Sequence, residues 1–193
     1  MNWTGRLTVV ALFGALALPA FAQSNQEINQ RKEEQQDRIA NGVQNGSLTA
    51  GETSNLERKE AGLNREERNM RAADNGHLTA ADRAKLNRQQ NTLSRDIYRD
   101  KHNAATQPGT RGEINQRKEN QQDRIAQGIR SGQLTPREAS HLESREAHIN
   151  RQEARDKAAN GGHLTAGERA QINREQNRTS RAIYRDKHNG AHQ

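Results

Sequence analysis

The chain has 193 residues, of which 30% are hydrophobic and 3% are aromatic, and it contains no cysteine. Its mean hydropathy is −1.26, which excludes a large dry core, and the lack of cysteine excludes disulfide bonds and thiol chemistry. The formal net charge is +7, from 31 basic and 24 acidic residues. Because both signs are abundant, this charge indicates a mixed surface rather than a basic tail that binds nucleic acid.

The first 22 residues have the features of a secretory signal. Arg6 precedes an apolar run over 7–18, and Ala20-Phe21-Ala22 matches a typical cleavage site. The run is too short for an ordinary membrane span. We therefore expect residues 1–22 to be removed and the mature protein to be periplasmic or secreted.

The rest of the chain consists of two related halves. Residues 27–107 align with residues 113–193 at a constant offset of 86, without gaps and with 50 identities over 81 positions. We interpret this as a tandem duplication. It predicts a first helical repeat at 23–103, a linker at 104–112 and a second helical repeat at 113–193.

Each repeat is predicted to contain three helices, because a Gly-x-Leu-Thr-x-x-Glu/Asp motif interrupts it twice. The four copies of the motif begin at Gly46, Gly76, Gly132 and Gly162. Glycine can end one helix in the left-handed conformation, and threonine with a carboxylate three residues later can cap the next helix. The predicted helices span about 25–44, 49–74 and 79–102, with equivalents 86 residues later.

The apolar stripe along these helices is thin. On the second helix it consists of Leu56, Leu63 and Met70, which is one large residue in two turns where a coiled-coil seam has two. The second repeat is thinner still, because Asp156 and Thr179 stand where the first repeat has apolar residues. We expect an elongated all-α protein with a marginal, partly polar core, in which the second repeat is the less stable.

The Leu-Thr-x-x-Glu/Asp segment resembles the LTxxQ motif of a family of helical periplasmic stress chaperones. Its copies are Leu48–Glu52, Leu78–Asp82, Leu134–Glu138 and Leu164–Glu168, each with an acid where the family has glutamine. The resemblance covers five residues at each turn. It implies an all-helical protein that holds unfolded clients on a concave, partly apolar face.

The same turns also resemble the second half of an EF-hand loop, from its central glycine to its final carboxylate. The first and third loop positions would be Asn41 and Val43 in one turn and Arg71 and Ala73 in the next. Calcium requires carboxylates at such positions. We therefore favour helix capping for these turns and keep divalent-cation binding as the alternative.

Seven histidines provide a second route to metal binding. The candidates are His77 and His163 in equivalent turns, His141 and His148 seven residues apart, Asp100-x-His102, and Asp186-x-His188 with His192. A metal site needs three or four converging ligands. None of these patterns supplies them, so we predict solvated histidines and no metal site.

The aromatic residues outside the predicted signal are Tyr98 and Tyr184, in the repeated segments 97–103 and 183–189 (Ile-Tyr-Arg-Asp-Lys-His-Asn). Two interpretations remain open at this stage. The tyrosines either close the end of a helical bundle or form a docking point for a partner.

No catalytic or cofactor-binding residues are predicted. The chain has no nucleophile elbow, phosphate loop or His-Glu-x-x-His motif. Its many carboxylates are expected on exposed helix faces, because this composition offers no dry pocket that could raise the pKa of a carboxyl group.

We therefore expect a non-enzymatic protein with a binding, structural or envelope-stress protective role. A protein partner, an unfolded client and self-association all remain open. Specific nucleic-acid binding is not expected. The second repeat has 15 basic and 11 acidic residues, which predicts only weak attraction to anionic surfaces through that repeat.

Overall fold

The computed structural model describes residues 20–105 and 113–191, with side chains from Asn25 onward. These residues contain six helices and no strand, which confirms the all-α class. The helices are α1 (Ala20–Gln44), α2 (Ala50–Ala73), α3 (Ala80–Lys101), α4 (Glu113–Arg130), α5 (Pro136–Ala159) and α6 (Ala166–Lys187). The predicted signal at 1–22 and the predicted linker at 104–112 lie mostly outside the described residues.

The four Leu-Thr turns have the predicted capping geometry. The helix-capping residues are Thr49, Thr79, Thr135 and Thr165, and each forms a complete capping box with the acid three residues later. The glycine before each cap has a φ between 69° and 92°, in the left-handed region. This motif places the observed ends of α2 and α3 within one residue of the predicted ends.

The two repeats pack directly against each other, chiefly through α2 against α5 and α1 against α4. The contact between α2 and α5 is reciprocal. Ser54 Oγ donates to the Ser140 carbonyl at 3.0 Å, and Ser140 Oγ donates to the Ser54 carbonyl at 2.8 Å. Since these serines are 86 residues apart in the sequence, equivalent surfaces of the two repeats face each other, and the small side chains allow a close approach.

The main hydrophobic core is shared by both repeats. Its large buried members are Ile39, Val43, Leu48, Leu56, Leu93 and Ile97 from the first repeat and Ile125, Ile129, Leu134, Leu142 and Ile183 from the second. Each repeat therefore covers apolar surface of the other. A separate satellite cluster contains Ile28, Leu78 and Leu86, with Met70 packed against it. All four residues of the satellite cluster belong to the first repeat.

The remaining interior is polar, as the thin apolar stripe predicts. Gln35 Nε2 on α1 donates to the Gln90 carbonyl at 2.7 Å and to Ser94 Oγ at 2.8 Å on α3. Gln121 makes the equivalent pair of bonds in the second repeat. Buried amide donors thus find acceptors across the helix contacts. No helix among the described residues is long and apolar enough to cross a membrane.

Candidate functional site

Four glutamates are buried where α2 packs near α5. They are Glu57, Glu60, Glu143 and Glu146, and their exposed fractions are 0% or 1%. We call this set the glutamate seam. It contains two pairs of residues that are equivalent in the repeats, so each repeat contributes the same two carboxyl groups to the contact.

The sequence contains a signal for these glutamates that the apolar stripe alone does not reveal. Leu56, Glu60, Leu63, Glu67 and Met70 follow one another at spacings of four and three residues. This spacing is that of a complete heptad seam, in which every second core position is a glutamate. The apolar residues predict the face that is buried, and the glutamates share that face.

Few hydrogen bonds reach the carboxyl groups of the glutamate seam. Gln36 Nε2 donates to Glu57 Oε2 at 3.3 Å, and Gln122 Nε2 donates to Glu143 Oε2 at 3.1 Å. The second oxygen of each of these glutamates has no hydrogen-bond partner among the described residues, and the same holds for both oxygens of Glu60 and Glu146. An ionised carboxylate in such surroundings is strongly disfavoured.

Burial accordingly raises the pKa of every seam glutamate. Desolvation raises the pKa of Glu60 and Glu146 from 4.5 to about 7 and that of Glu143 to about 8. Desolvation, reinforced by the nearby Glu60, also raises the pKa of Glu57 well above 4.5. The prediction that this composition could build no site that raises a carboxyl pKa is therefore wrong. Contact between two helices removes water from these groups without a large core.

A cluster of opposite charges flanks the glutamate seam in each repeat. Lys32 on α1 binds the Glu67 carboxylate at 2.8 Å, and Arg71 binds it at 2.7 Å. The equivalent Glu153 is bound by two lysines in the same way. Burial by itself would raise the pKa of Glu67 and Glu153, but hydrogen bonds from these cations outweigh it and lower the pKa. These two glutamates are therefore ionised at neutral pH.

The carboxylates of the Leu-Thr turns are occupied by helix capping. Glu52 Oε2 accepts from the N–H and the hydroxyl of Thr49, at 2.9 and 2.7 Å, and its Oε1 accepts from Asn103 Nδ2 at 2.6 Å. Glu138 has equivalent bonds to Thr135 and Asn189. An EF-hand would direct this carboxylate at the ion. The geometry instead favours the capping interpretation.

The predicted metal-ligand candidates do not converge on one another. His77, His141, His148 and His163 are exposed. His141, His148 and Glu175 do line one groove between α5 and α6, but Arg145 and Arg178 line it too and oppose the binding of a cation. Among the described residues, no three His, Asp or Glu side chains are grouped to hold a metal ion. His192 lies outside those residues.

Tyr98 and Tyr184 are exposed to solvent, each with an exposed fraction of 62%. This contradicts the interpretation in which they close the end of a bundle. Each ring instead stacks on a histidine four residues later, His102 or His188, with ring centroids 4.2 Å apart. Other residues of the repeated segment are structural, as Asn103 shows by binding Glu52. The docking interpretation of the tyrosines remains a prediction.

Comparison with known proteins finds no matching family model, no similar curated protein and no similar solved structure. The resemblances to LTxxQ chaperones and to EF-hand loops therefore rest on the turn motifs alone. Both resemblances stay predictions.

Proposed function

We propose that the protein is a non-enzymatic helical binding protein of the periplasm or the secreted fraction, with a protective role when the envelope becomes acidic. The observation that carries this proposal is the glutamate seam. The signal-like residues 1–22 support the compartment, and the all-α fold is compatible with the stress-chaperone resemblance of the turns.

The glutamate seam makes the protein tolerate acid. The pKa of Glu60 and Glu146 is about 7 in the folded chain and 4.5 in the unfolded chain, so the folded chain binds more protons between these values. The free energy of unfolding therefore decreases as the pH rises through this window. The seam glutamates contribute their full share of the free energy of unfolding below pH 4.5, and this share is lost as they ionise at higher pH.

The flanking glutamates limit this tolerance at still lower pH. The pKa of Glu67 and Glu153 is lowered in the folded state, so their stabilising ion pairs are lost as the pH falls below 4.5. The two effects have opposite signs. We expect maximal stability near about pH 5, where the seam is mostly protonated and the ion pairs persist.

The burial of the seam also supports a non-enzymatic role. Carboxyl groups with a raised pKa are often catalytic acids, but a catalytic acid must reach its substrate. The seam glutamates have exposed fractions of 0% or 1% and lie inside a helix contact. They can change the stability of the fold without access to a ligand.

Binding is supported by apolar surface that remains accessible. Between α2 and α3 lies a groove of about 510 Å³, in which Leu63 is partly buried and is surrounded by charged side chains such as Lys59 and Arg88. The exposed Tyr98 and Tyr184 add further apolar area. Such mixed surfaces suit loose contact with an unfolded client.

The test is an aggregation assay with an acid-labile client enzyme, diluted with the mature chain to about pH 5, the expected stability maximum. We expect less light scattering with the protein than with an equal mass of an inert protein of similar charge. A double variant, Glu60→Gln with Glu146→Gln, removes two of the four titratable groups of the seam and should also protect a heat-unfolded client at neutral pH. Exposed Glu119→Gln is the matched control. Equal aggregation with and without the protein would reject the protective role.

A further inference from the structure

A second feature of the surface is a basic groove between α1, α2 and the start of α5. It has a volume of about 630 Å³. Its cationic lining residues are Lys32, Arg65, Arg68, Arg71 and Arg137. We call it the arginine groove. Two carboxylates, Glu33 and Glu67, also line it, so the lining carries more positive than negative charge.

The charges of the arginine groove are only partly paired within the protein. Glu67 is bound by Lys32 and Arg71, so three side chains together leave a single positive charge. Arg65, Arg68 and Arg137 have no ion pair with any residue in the described ranges. Three guanidinium groups therefore face the same groove as donors without a protein carboxylate.

Both repeats are needed to build this groove. Arg65 and Arg68 lie three residues apart on one side of α2, where neighbouring turns bring them close together. Arg137 lies in the first turn of α5 and belongs to the other repeat. The packing of α2 against α5 therefore determines the spacing of the cations.

The second repeat does not reproduce the arginine groove. At the positions 86 residues away, Arg68 is replaced by Ala154 and Arg137 by Gly51, whereas Arg65 is retained as Arg151. The equivalent surface thus has two cations fewer. The second repeat carries the larger net positive charge. Most cations of the groove nevertheless belong to the first repeat, so net charge does not predict where the cations cluster.

The geometry points to the arginine groove as a binding site for an anion with two or more phosphate groups. Guanidinium groups donate paired hydrogen bonds that match the oxygens of phosphate, and several of them together favour a multiply charged ligand. The volume of the groove admits a di- or triphosphate group, either free in solution or on a lipid headgroup. This site adjoins the glutamate seam through Lys32 and Glu67, but its ligand does not depend on the seam, and the inference goes beyond the proposed function.

The first test is calorimetric titration of the mature chain with inorganic tripolyphosphate at constant ionic strength. We expect one site per chain. Arg68→Ala with Arg137→Gly, which introduces the types of residue present in the second repeat, should weaken binding by about tenfold or more. Arg151→Ala, which also removes an arginine, is the matched control and should have no effect. The proposal is overturned by undetectable binding, by an unchanged double variant or by an equal loss in the control.

A gain-of-function variant tests the same site from the opposite direction. Ala154 is exposed and a Cβ added at Gly51 has no neighbouring atom within 4 Å, so a side chain can start from either position without a clash. Ala154→Arg with Gly51→Arg should raise the number of tripolyphosphate sites from one to two. A stoichiometry that stays at one would show that these cations do not make the site.

Two further titrations separate the chemistry of the ligand from its source. Citrate carries several carboxylates in place of phosphates, and equally tight citrate binding would overturn the phosphate assignment. Vesicles of phosphatidylcholine with cardiolipin, a lipid with two phosphate groups, are then compared with free tripolyphosphate. Binding to the vesicles that the Arg68→Ala, Arg137→Gly variant loses identifies a headgroup as the source. Binding to tripolyphosphate alone identifies a free phosphate.

Discussion

The ends of the two repeats that lie away from the shared core differ in their packing. In the first repeat, Ile28 and Leu78 are 1% and 4% exposed, and Met70 packs against their cluster. In the second repeat the equivalent Ile114 and Leu164 are only partly buried, and Asp156 replaces the methionine. Where Asp156 replaces the methionine, the neighbouring apolar side chains are thus more exposed to solvent. In the shared core, Thr179 replaces Leu93 in the same way, but both of these residues remain 2% exposed.

The largest expected effect comes from separating the repeats. Residues 23–107 and 110–193 expressed alone should each lose cooperative thermal unfolding, because the main core takes its buried residues from both. Circular dichroism should show helicity returning when the two fragments are mixed. A fragment that melts cooperatively near the midpoint of the intact chain would show that the shared core is not essential.

The next effect tests the difference between the two ends within the intact chain. Met70→Asp should reduce the free energy of unfolding by about 2 kcal/mol or more, because it removes apolar contacts and adds a partly buried charge. Asp156→Met should increase it by about 1 kcal/mol, since one carboxyl oxygen of Asp156 is buried without a hydrogen-bond partner.

Urea unfolding measures both changes, and Arg155→Ala on an exposed position is the control, expected within about 0.5 kcal/mol of the parent. Equal and opposite changes at the two positions would mean that both ends pack alike. No change from Met70→Asp would mean that the satellite cluster contributes nothing to stability.

Removing a helix cap should cost less stability at the loosely packed end of the second repeat than beside the shared core. Thr135 and its cap are half-buried beside the core, whereas Thr165 is exposed at the looser end of the second repeat. Thr135→Ala should cost about 1 kcal/mol and Thr165→Ala about half as much, because a fraying helix start depends less on its cap. Thermal melting of the two variants measures the difference. If neither changes stability, the capping interpretation of the turns is wrong.

The smallest effect is expected from calcium. Glu52 and Glu138 already accept hydrogen bonds on both of their carboxylate oxygens, so neither of these two turns has a free carboxylate oxygen for an ion. Calcium should raise the melting temperature no more than magnesium does at the same concentration. A stoichiometric calcium site detected by calorimetry would restore divalent-cation binding as the leading interpretation.

The helices and their caps could be predicted from the sequence, whereas the packing of one repeat against the other could not. Thr49 and Glu52 predict the start of α2 because capping depends only on neighbouring residues. The contact of Ser54 with Ser140 depends on the pairing of two distant helices, for which small side chains alone are a weak signal. The composition predicts carboxylates on exposed helix faces, Glu60 among them, because it offers no dry pocket. The heptad spacing between Glu60 and the buried face of Leu56 and Leu63 is the sequence signal that indicates its burial.

Buried glutamates should make this fold more stable in acid than at neutral pH. The most direct measurement is the free energy of unfolding of the mature chain, from urea titrations between about pH 5 and pH 8. It should fall by about 2.5 kcal/mol or more over this range, the loss expected from one carboxyl whose pKa rises from 4.5 to about 7. Glu60→Gln with Glu146→Gln should make the curve less steep, because only Glu57 and Glu143 of the seam then titrate. A stability that is constant, or that rises with pH, would contradict the account.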